Sequence, residues 1–172
     1  IKVWAGVAYA HRNLVINRDL KPAHILVDAH GEPKLLDFGI ARLAHEQAME
    51  STLTVTGQRA LTLAYASPEQ IEQQPLTTAV DVYGLGMVLY QLMAGQRPWQ
   101  HITTPHQLSH AIVAGEIVPP SRSAKTGEEP RRAIPADIDA IALKALRREA
   151  GERYASVDAL AADLRHWLAR RP

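Results

Sequence analysis

The sequence predicts a mostly helical α+β domain that carries one small β-hairpin. Apolar residues recur at helical spacing in about six segments along the chain. One stretch breaks this pattern, because short apolar runs at Ile25–Val27 and 34–36 flank a turn at 28–31 and so indicate two paired strands. With 172 residues, 47% of them hydrophobic, the chain has the length of one domain and can bury a substantial core.

Composition narrows the classes of partner and compartment. The 19 basic and 18 acidic residues nearly cancel, which argues against nucleic acid or an anionic membrane surface as the partner. The chain has no cysteine, so a disulfide framework and a cysteine metal site are excluded, and we expect a reducing, cytoplasmic location. No apolar run reaches the length of a membrane span. Because Ile1 is not a methionine and already lies in a helical pattern, we expect a fragment of a longer protein.

The elements around the hairpin differ sharply in pattern. The spacing of six residues predicts an amphipathic first helix: Ile1, Trp4, Val7, Ala8, His11 and Leu14. We interpret His11 as a helix-face residue without a chemical role. After the hairpin, residues 40–61 are rich in Ser, Thr and Gln, which is typical of a functional or disordered loop.

A helix predicted from 77 to 94 should lie at the centre of the domain. It is apolar nearly all round and is closed by Gly95. Asp81 is its one charge, and a buried charge needs partners. Gly84 and Gly86 indicate close helix packing rather than a dinucleotide fingerprint, since no strand precedes them and a third glycine is absent.

Shorter helices complete the expected fold. Ser67 is predicted to cap a short helix that begins with Pro68. Further helices are predicted at 105–115, at 137–148 and after the capping residue Ser156, with a surface loop at 117–135.

Three charged residues stand at the open ends of the hairpin. Asp19 and Lys21 precede its first strand, and Asp37 follows its second. The hairpin returns the two carboxylates to one neighbourhood, which suits a site that orients a hydroxyl and holds a metal–phosphate group.

The order Asp19-x-Lys21-Pro22 and then Asp37-Phe38-Gly39 after a strand resembles the catalytic core of eukaryotic-type protein kinases. The stretches ALTLAYASPEQ, DVYGLGMVLYQLMAGQRPW and GERYASVDALAADLRHWLARRP look most like bacterial Ser/Thr kinases. The resemblance implies a protein-kinase-like α+β fold whose mostly helical C-terminal lobe fills residues 1–172. Its parts would be a catalytic loop at 17–24, an activation segment at 37–69 and a helical subdomain at 70–170.

The resemblance also implies roles for the residues at the hairpin. Asp19 would orient the substrate hydroxyl, because a carboxylate is a poor base for that proton. Lys21 would lie against the γ-phosphate of ATP, and Asp37 would hold the magnesium ion that bridges the phosphates. Leu26 would form the apolar floor under adenine. The lysine at this offset, with Thr62 in the substrate-facing loop, favours protein Ser/Thr hydroxyls as acceptors.

Other matches to the family are structural or regulatory. Arg18 resembles the arginine that receives a phosphorylated loop residue, for which Thr52, Thr54 and Thr56 are candidates. Asp81 would bind the backbone of the catalytic loop. The resemblance further implies that Phe38 and Gly39 belong to the metal-binding segment and that Glu69 and Arg153 form a buried ion pair.

Three departures from the family affect the expected activity. Nothing before Asp19 supplies the small N-terminal lobe, so the fragment should be inactive by itself and should need that lobe as its partner. His24 stands where the family has an asparagine metal ligand, which lowers the expected affinity for magnesium and makes manganese an alternative. Asn17 replaces a histidine that packs on the phenylalanine, here Phe38.

Three functions therefore remain open at this point. The leading one is the catalytic lobe of a signalling Ser/Thr protein kinase. The second is a pseudokinase or scaffold module whose metal binding is impaired by His24 and Asn17. The third is a small-molecule kinase of the aminoglycoside type, against which Glu69, Asp81 and Arg153 argue because they belong to a protein-substrate platform.

Overall fold

A computed structural model describes residues 1–36, 63–123 and 134–170. Within these residues the chain forms seven α-helices and one two-stranded antiparallel sheet, which confirms the predicted fold class. The elements in order are α1 (Lys2–Arg12), β1 (Ile25–Val27), β2 (Pro33–Leu35), α2 (Pro68–Ile71), α3 (Ala79–Ala94), α4 (Pro105–Ala114), α5 (Pro120–Ser123), α6 (Ala136–Ala145) and α7 (Val157–Ala169).

The hairpin is closed by a turn that its own aspartate organises. Asp28 Oδ1 accepts hydrogen bonds from the backbone N–H groups of His30 and Glu32 at 2.9 and 3.0 Å. Gly31 takes the left-handed conformation that the turn requires, with φ of 76°. Ile25 pairs with Leu35 and Val27 with Pro33, so the second strand begins one residue earlier than the predicted 34–36.

Helix α3 is the centre of the fold, as its apolar sequence predicts. Twelve of its sixteen residues are buried, and its C-cap Gly95 takes a left-handed φ of 71°. A β-carbon added to Gly84 would lie 2.9 Å from Leu20 Cβ, and one added to Gly86 would lie 2.8 Å from Ala145 Cβ. The two glycines therefore let the loop before the hairpin and helix α6 approach α3 closely.

One main apolar core joins the helices. Helix α1 packs against α7, and α3 packs against α6 and α7. Side chains that are fully or almost fully buried in this core include Val7, Leu85, Ile138 and Leu160. Across the described parts of the chain, no helix is both long enough and apolar enough to cross a bilayer.

Several predicted boundaries need correction. Helix α3 begins at Ala79 instead of 77, and α4 ends at Ala114 instead of 115. Helix α1 ends at Arg12, so Leu14 lies outside it and is 94% exposed. Helix α6 ends at Ala145 instead of 148, and the carbonyl oxygens of Arg147 and Arg148 beyond its end accept hydrogen bonds from the guanidinium of Arg153. The predicted loop at 117–135 contains the short helix α5, whose Ser121 N–H donates to Asp139 on α6 at 2.9 Å.

Candidate active site

The loop before the hairpin is held by a carboxylate at the start of α3. Asp81 is 1% exposed, and its two oxygens accept the backbone N–H groups of Asn17 and Arg18, each at 2.8 Å. His11 Nε2 lies 2.7 Å from Asp81 Oδ2. The interpretation of His11 as a helix-face residue alone therefore needs correction, since its imidazole reaches the carboxylate that anchors the loop.

The Arg18 peptide is clamped from both sides. Its N–H is bound by Asp81, and its carbonyl oxygen accepts from Gln70 Nε2 at 2.9 Å. Arg18 has a φ of 67°, a conformation that costs a residue with a side chain roughly 1–3 kcal/mol and persists only where its surroundings enforce it. Gln70 was not among the predicted site residues. Its one signal was the Ser67-x-x-Gln70 capping box, in which Ser67 N–H donates to Gln70 Oε1 at 3.0 Å.

Asp19 and Lys21 form the chemical centre of the described site. Lys21 Nζ donates to Asp19 Oδ2 at 2.9 Å, and about a fifth of each side chain remains exposed. The N–H of Asp19 donates to Asn17 Oδ1 at 3.2 Å, so the buried Asn17 side chain supports the loop from within. A carboxylate and an ammonium group that stand together at the surface can orient a hydroxyl and bind a phosphate oxygen.

His24 is the third polar group of this centre. Its Nδ1 lies 3.0 Å from the carbonyl oxygen of Asp19 and 3.7 Å from Asp19 Oδ2. A carbonyl oxygen can only accept, so Nδ1 carries the hydrogen and the lone pair of the neutral ring lies on Nε2. Metal-binding histidines commonly donate their second nitrogen to such an oxygen, an arrangement that fixes the ring.

A second buried carboxylate lies in α2. Glu69 accepts two hydrogen bonds from Arg153, at 2.6 Å from Nη1 and 2.7 Å from Nη2. Arg153 is fully covered, and its other N–H groups donate to three carbonyl oxygens, those of Ala79, Arg147 and Arg148. Burial raises the pKa of Glu69, but the hydrogen bonds and the charge of Arg153, together with hydrogen bonds from its own backbone N–H and from Ser67, hold that pKa below its ordinary value.

Tyr83 lies beside this ion pair. The Arg153 guanidinium is 5.0 Å from the centre of the Tyr83 ring. Burial raises the pKa of the Tyr83 hydroxyl, and no hydrogen-bond partner for that hydroxyl is found in the part of the chain that the structure describes.

Several predicted site residues cannot be placed with these groups. Leu26 lies in β1 opposite Lys34 and is 53% exposed. The N–H of Leu36 donates to the carbonyl oxygen of His24 at 2.7 Å, which brings the end of the hairpin beside the turn that carries His24. Among the described residues no group of three histidine or acidic side chains gathers as a metal site. The predicted roles of Asp37, Phe38, Gly39, Thr52, Thr54, Thr56 and Thr62 fall outside the described residues.

Comparison with known proteins gives a consistent set of relatives. Residues 1–164 match the family described as protein kinase domain. The chain is 35% identical over 157 residues to the serine/threonine-protein kinase PknB of Mycobacterium leprae, covering 91% of this chain and 23% of that protein. It is 34% identical over 156 residues to PknB of Mycobacterium tuberculosis, with the same coverage of 91% and 23%.

A relative from a different genus gives a similar result. A Corynebacterium efficiens protein described as a probable serine/threonine-protein kinase is 35% identical over 166 residues, which cover 95% of this chain and 24% of that protein. The chain thus spans about a quarter of the length of these bacterial relatives.

Proposed function

Since the chain belongs to the protein kinase domain family, as its resemblance predicted, we propose that it forms the C-terminal lobe of a signalling Ser/Thr protein kinase. In the whole protein this lobe would transfer the γ-phosphate of ATP to Ser or Thr hydroxyls of other proteins. The observation that carries the proposal is the Asp19–Lys21 pair, on a loop whose backbone is bound by the buried Asp81.

Asp19 would orient the acceptor hydroxyl. Its carboxylate is held by the backbone of a clamped loop and remains partly exposed, so an incoming hydroxyl can reach Oδ1 or Oδ2. Lys21 would leave its contact with Asp19 in favour of the transferring phosphate, where its charge offsets the negative charge that develops. Both roles depend on positioning, which the bonds of Asp81 and Gln70 to the loop provide.

The nucleotide and its divalent ion would bind at the end of the hairpin. Leu26, with about half of its side chain exposed, would support adenine, and Asp37 with His24 would hold the ion. A bound divalent ion would supply neutralisation of the phosphate oxygens. The Nε2 lone pair of His24 is a nitrogen donor, which suits manganese better than magnesium. We therefore propose that manganese supports this site better than magnesium does.

Phosphate transfer from ATP to a generic basic protein tests these roles. The whole gene product that carries this sequence would be compared with its Asp19→Asn variant, and with Asp158→Asn as a matched control on the exposed face of α7. We expect Asp19→Asn to lower kcat by at least about a hundredfold and the control to match the parent. Transfer that survives Asp19→Asn undiminished would remove Asp19 from the proposed chemistry.

The metal preference has its own test in His24→Asn. We expect this variant to raise magnesium affinity and magnesium-dependent transfer, because an amide oxygen replaces a nitrogen ligand. Manganese affinity, followed by the loss of the free-ion paramagnetic resonance signal, reports binding independently of turnover. A variant with the same magnesium and manganese affinities as the parent would contradict the role of His24.

A binding or scaffold role is the second candidate, favoured by the histidine at position 24 and the asparagine at position 17. In that case ATP would bind without transfer, and His24→Asn with Asn17→His would be needed to restore it. Phosphorylation of a free aminoglycoside or of choline, in place of protein, would favour a small-molecule kinase instead.

The remaining partners follow from the proposed chemistry. The exposed apolar side chains of the hairpin, Leu26, Val27 and Leu36, would be covered by the N-terminal lobe in the whole protein. We also propose a cytoplasmic location for this domain, because transfer from ATP needs the compartment that supplies it. Cell fractionation with an antibody against the domain checks the location.

A further inference from the structure

Three of the eight histidines of the chain line one surface cavity that lies apart from the candidate active site. His101 belongs to the loop before α4, and His106 and His110 belong to α4 itself. The cavity has a volume of about 500 Å³. None of the described residues that line it is Asp, Glu, Lys or Arg, so the imidazoles are the ionisable groups among those residues.

Two of these imidazoles share one face of a helix. His106 and His110 are four residues apart, a spacing that places side chains about 5–6 Å apart at their β-carbons. Both are exposed, while Leu108 and Ile112 turn the other face of α4 into the core. This is the spacing at which two histidines of one helix bind a single zinc ion in proteins.

The three side chains are also available to a ligand. All three lie within residues 63–123. None of their side chains forms a hydrogen bond or an ion pair with any described residue. The neighbouring Gln107 is engaged elsewhere, because its Oε1 accepts from Thr104 Oγ1 at 2.7 Å. Ala111, which follows His110, also lines the cavity and adds no polar side chain to it.

We propose that His106 and His110 chelate one divalent transition-metal ion, such as Zn²⁺, Ni²⁺ or Cu²⁺. Imidazole nitrogen suits these ions, whereas Mg²⁺ and Ca²⁺ prefer oxygen ligands. No three possible ligands converge on one point in the described residues, so two imidazoles with water at the open positions form the site. His101 lines the same cavity. The proposal does not depend on the kinase function.

Isothermal titration of the whole gene product with ZnCl₂ and NiCl₂ tests this site. We expect His106→Ala and His110→Ala each to weaken one zinc site by at least about tenfold, equivalent to about 1.4 kcal/mol. The double variant should bind one ion fewer per chain. His166→Ala, an exposed histidine on α7, is the matched control and should bind like the parent. Mg²⁺ in excess should not displace the zinc.

Two results would overturn the proposal. One is zinc binding in either helix variant that stays within about twofold of the parent. The other is a loss in His166→Ala as large as the loss in the helix variants, which would show only unspecific binding to surface histidines. Since His106, His110 and His166 are exposed, circular dichroism should show the same helix content in each of their variants. His24→Ala should leave zinc binding at the cavity unchanged, and a loss as large as in the helix variants would place the zinc at the candidate active site instead.

Discussion

Two buried carboxylates show at the residue scale how single side chains join distant parts of this chain. Asp81 holds the backbone of Asn17 and Arg18, and Glu69 holds the guanidinium of Arg153. The need of Asp81 for partners could be predicted, because it is the one charge in an otherwise apolar helix. Its partners could not be derived from that pattern, since two of them are backbone N–H groups more than sixty residues away.

The Glu69–Arg153 pair gives a prediction for acid stability. The pKa of Glu69 in the folded state lies below the ordinary value of 4.5, so its contribution to stability is complete above about pH 4.5 and is lost as the pH falls through the folded pKa. We expect the free energy of unfolding, measured with urea between pH 7 and 3, to fall below pH 4.5 more steeply in the parent than in Glu69→Gln.

Glu69→Gln should also be less stable than the parent at pH 7, by about 3–5 kcal/mol, because it leaves Arg153 buried without its counter-ion. The exposed Glu32, replaced by Gln, is the control and should keep the steep acid limb of the parent. Parallel pH profiles for the parent and Glu69→Gln would show that another carboxylate is responsible for the acid limb.

At the scale of elements, the sequence predicts what periodicity and local capping determine. The hairpin, α3 and its Gly95 cap, and the Ser156 cap of α7 all follow from residues within the element or next to it. Helix α5 could not be predicted in this way, because its Ser121 is bound by Asp139 of another helix, a contact that local sequence does not indicate. The contact of His11 could not be predicted either. Its spacing places it on a helix face, but it does not show that the Asp81 carboxylate lies beside that face.

The glycines of α3 give a prediction at this scale. In Gly86→Ala the new β-carbon would lie 2.8 Å from Ala145 Cβ, which is attached to backbone and can move only if α6 moves. We expect a loss of about 1–3 kcal/mol in the free energy of unfolding, measured by urea denaturation.

Gly6→Ala is the matched control, because it is also a helical glycine, on the exposed side of α1, with nothing within 4 Å of the added carbon. It should stabilise the chain by up to about 1 kcal/mol through helix propensity alone. Equal effects at the two positions would mean that α3 and α6 do not need the close approach seen here.

At the scale of the whole molecule, the apolar surfaces of the domain are not equally covered. The apolar face of α1 is buried against α7 in the main core, whereas the hairpin keeps Leu26, Val27 and Leu36 exposed by 53%, 66% and 41%. The hairpin follows from its short apolar runs, but the exposure of these three side chains does not. Exposure depends on which elements pack against the hairpin, and α1 is the helix that contacts its second strand.

The exposed hairpin predicts self-association of the 172-residue chain when it is produced alone. Exposed apolar side chains gain by leaving water, at about 25 cal/mol for each Å² that two copies cover. We expect light scattering at increasing concentration to show an average mass above that of the monomer, and Val27→Lys to shift the mass towards the monomer.

Leu92→Lys is the matched control, because Leu92 on α3 is similarly exposed, at 64%, but lies outside the hairpin. A chain that stays monomeric at high concentration would contradict the prediction, and an equal response to both substitutions would place the contact elsewhere. Association that Val27→Lys alone removes would identify the hairpin as the contact surface between copies.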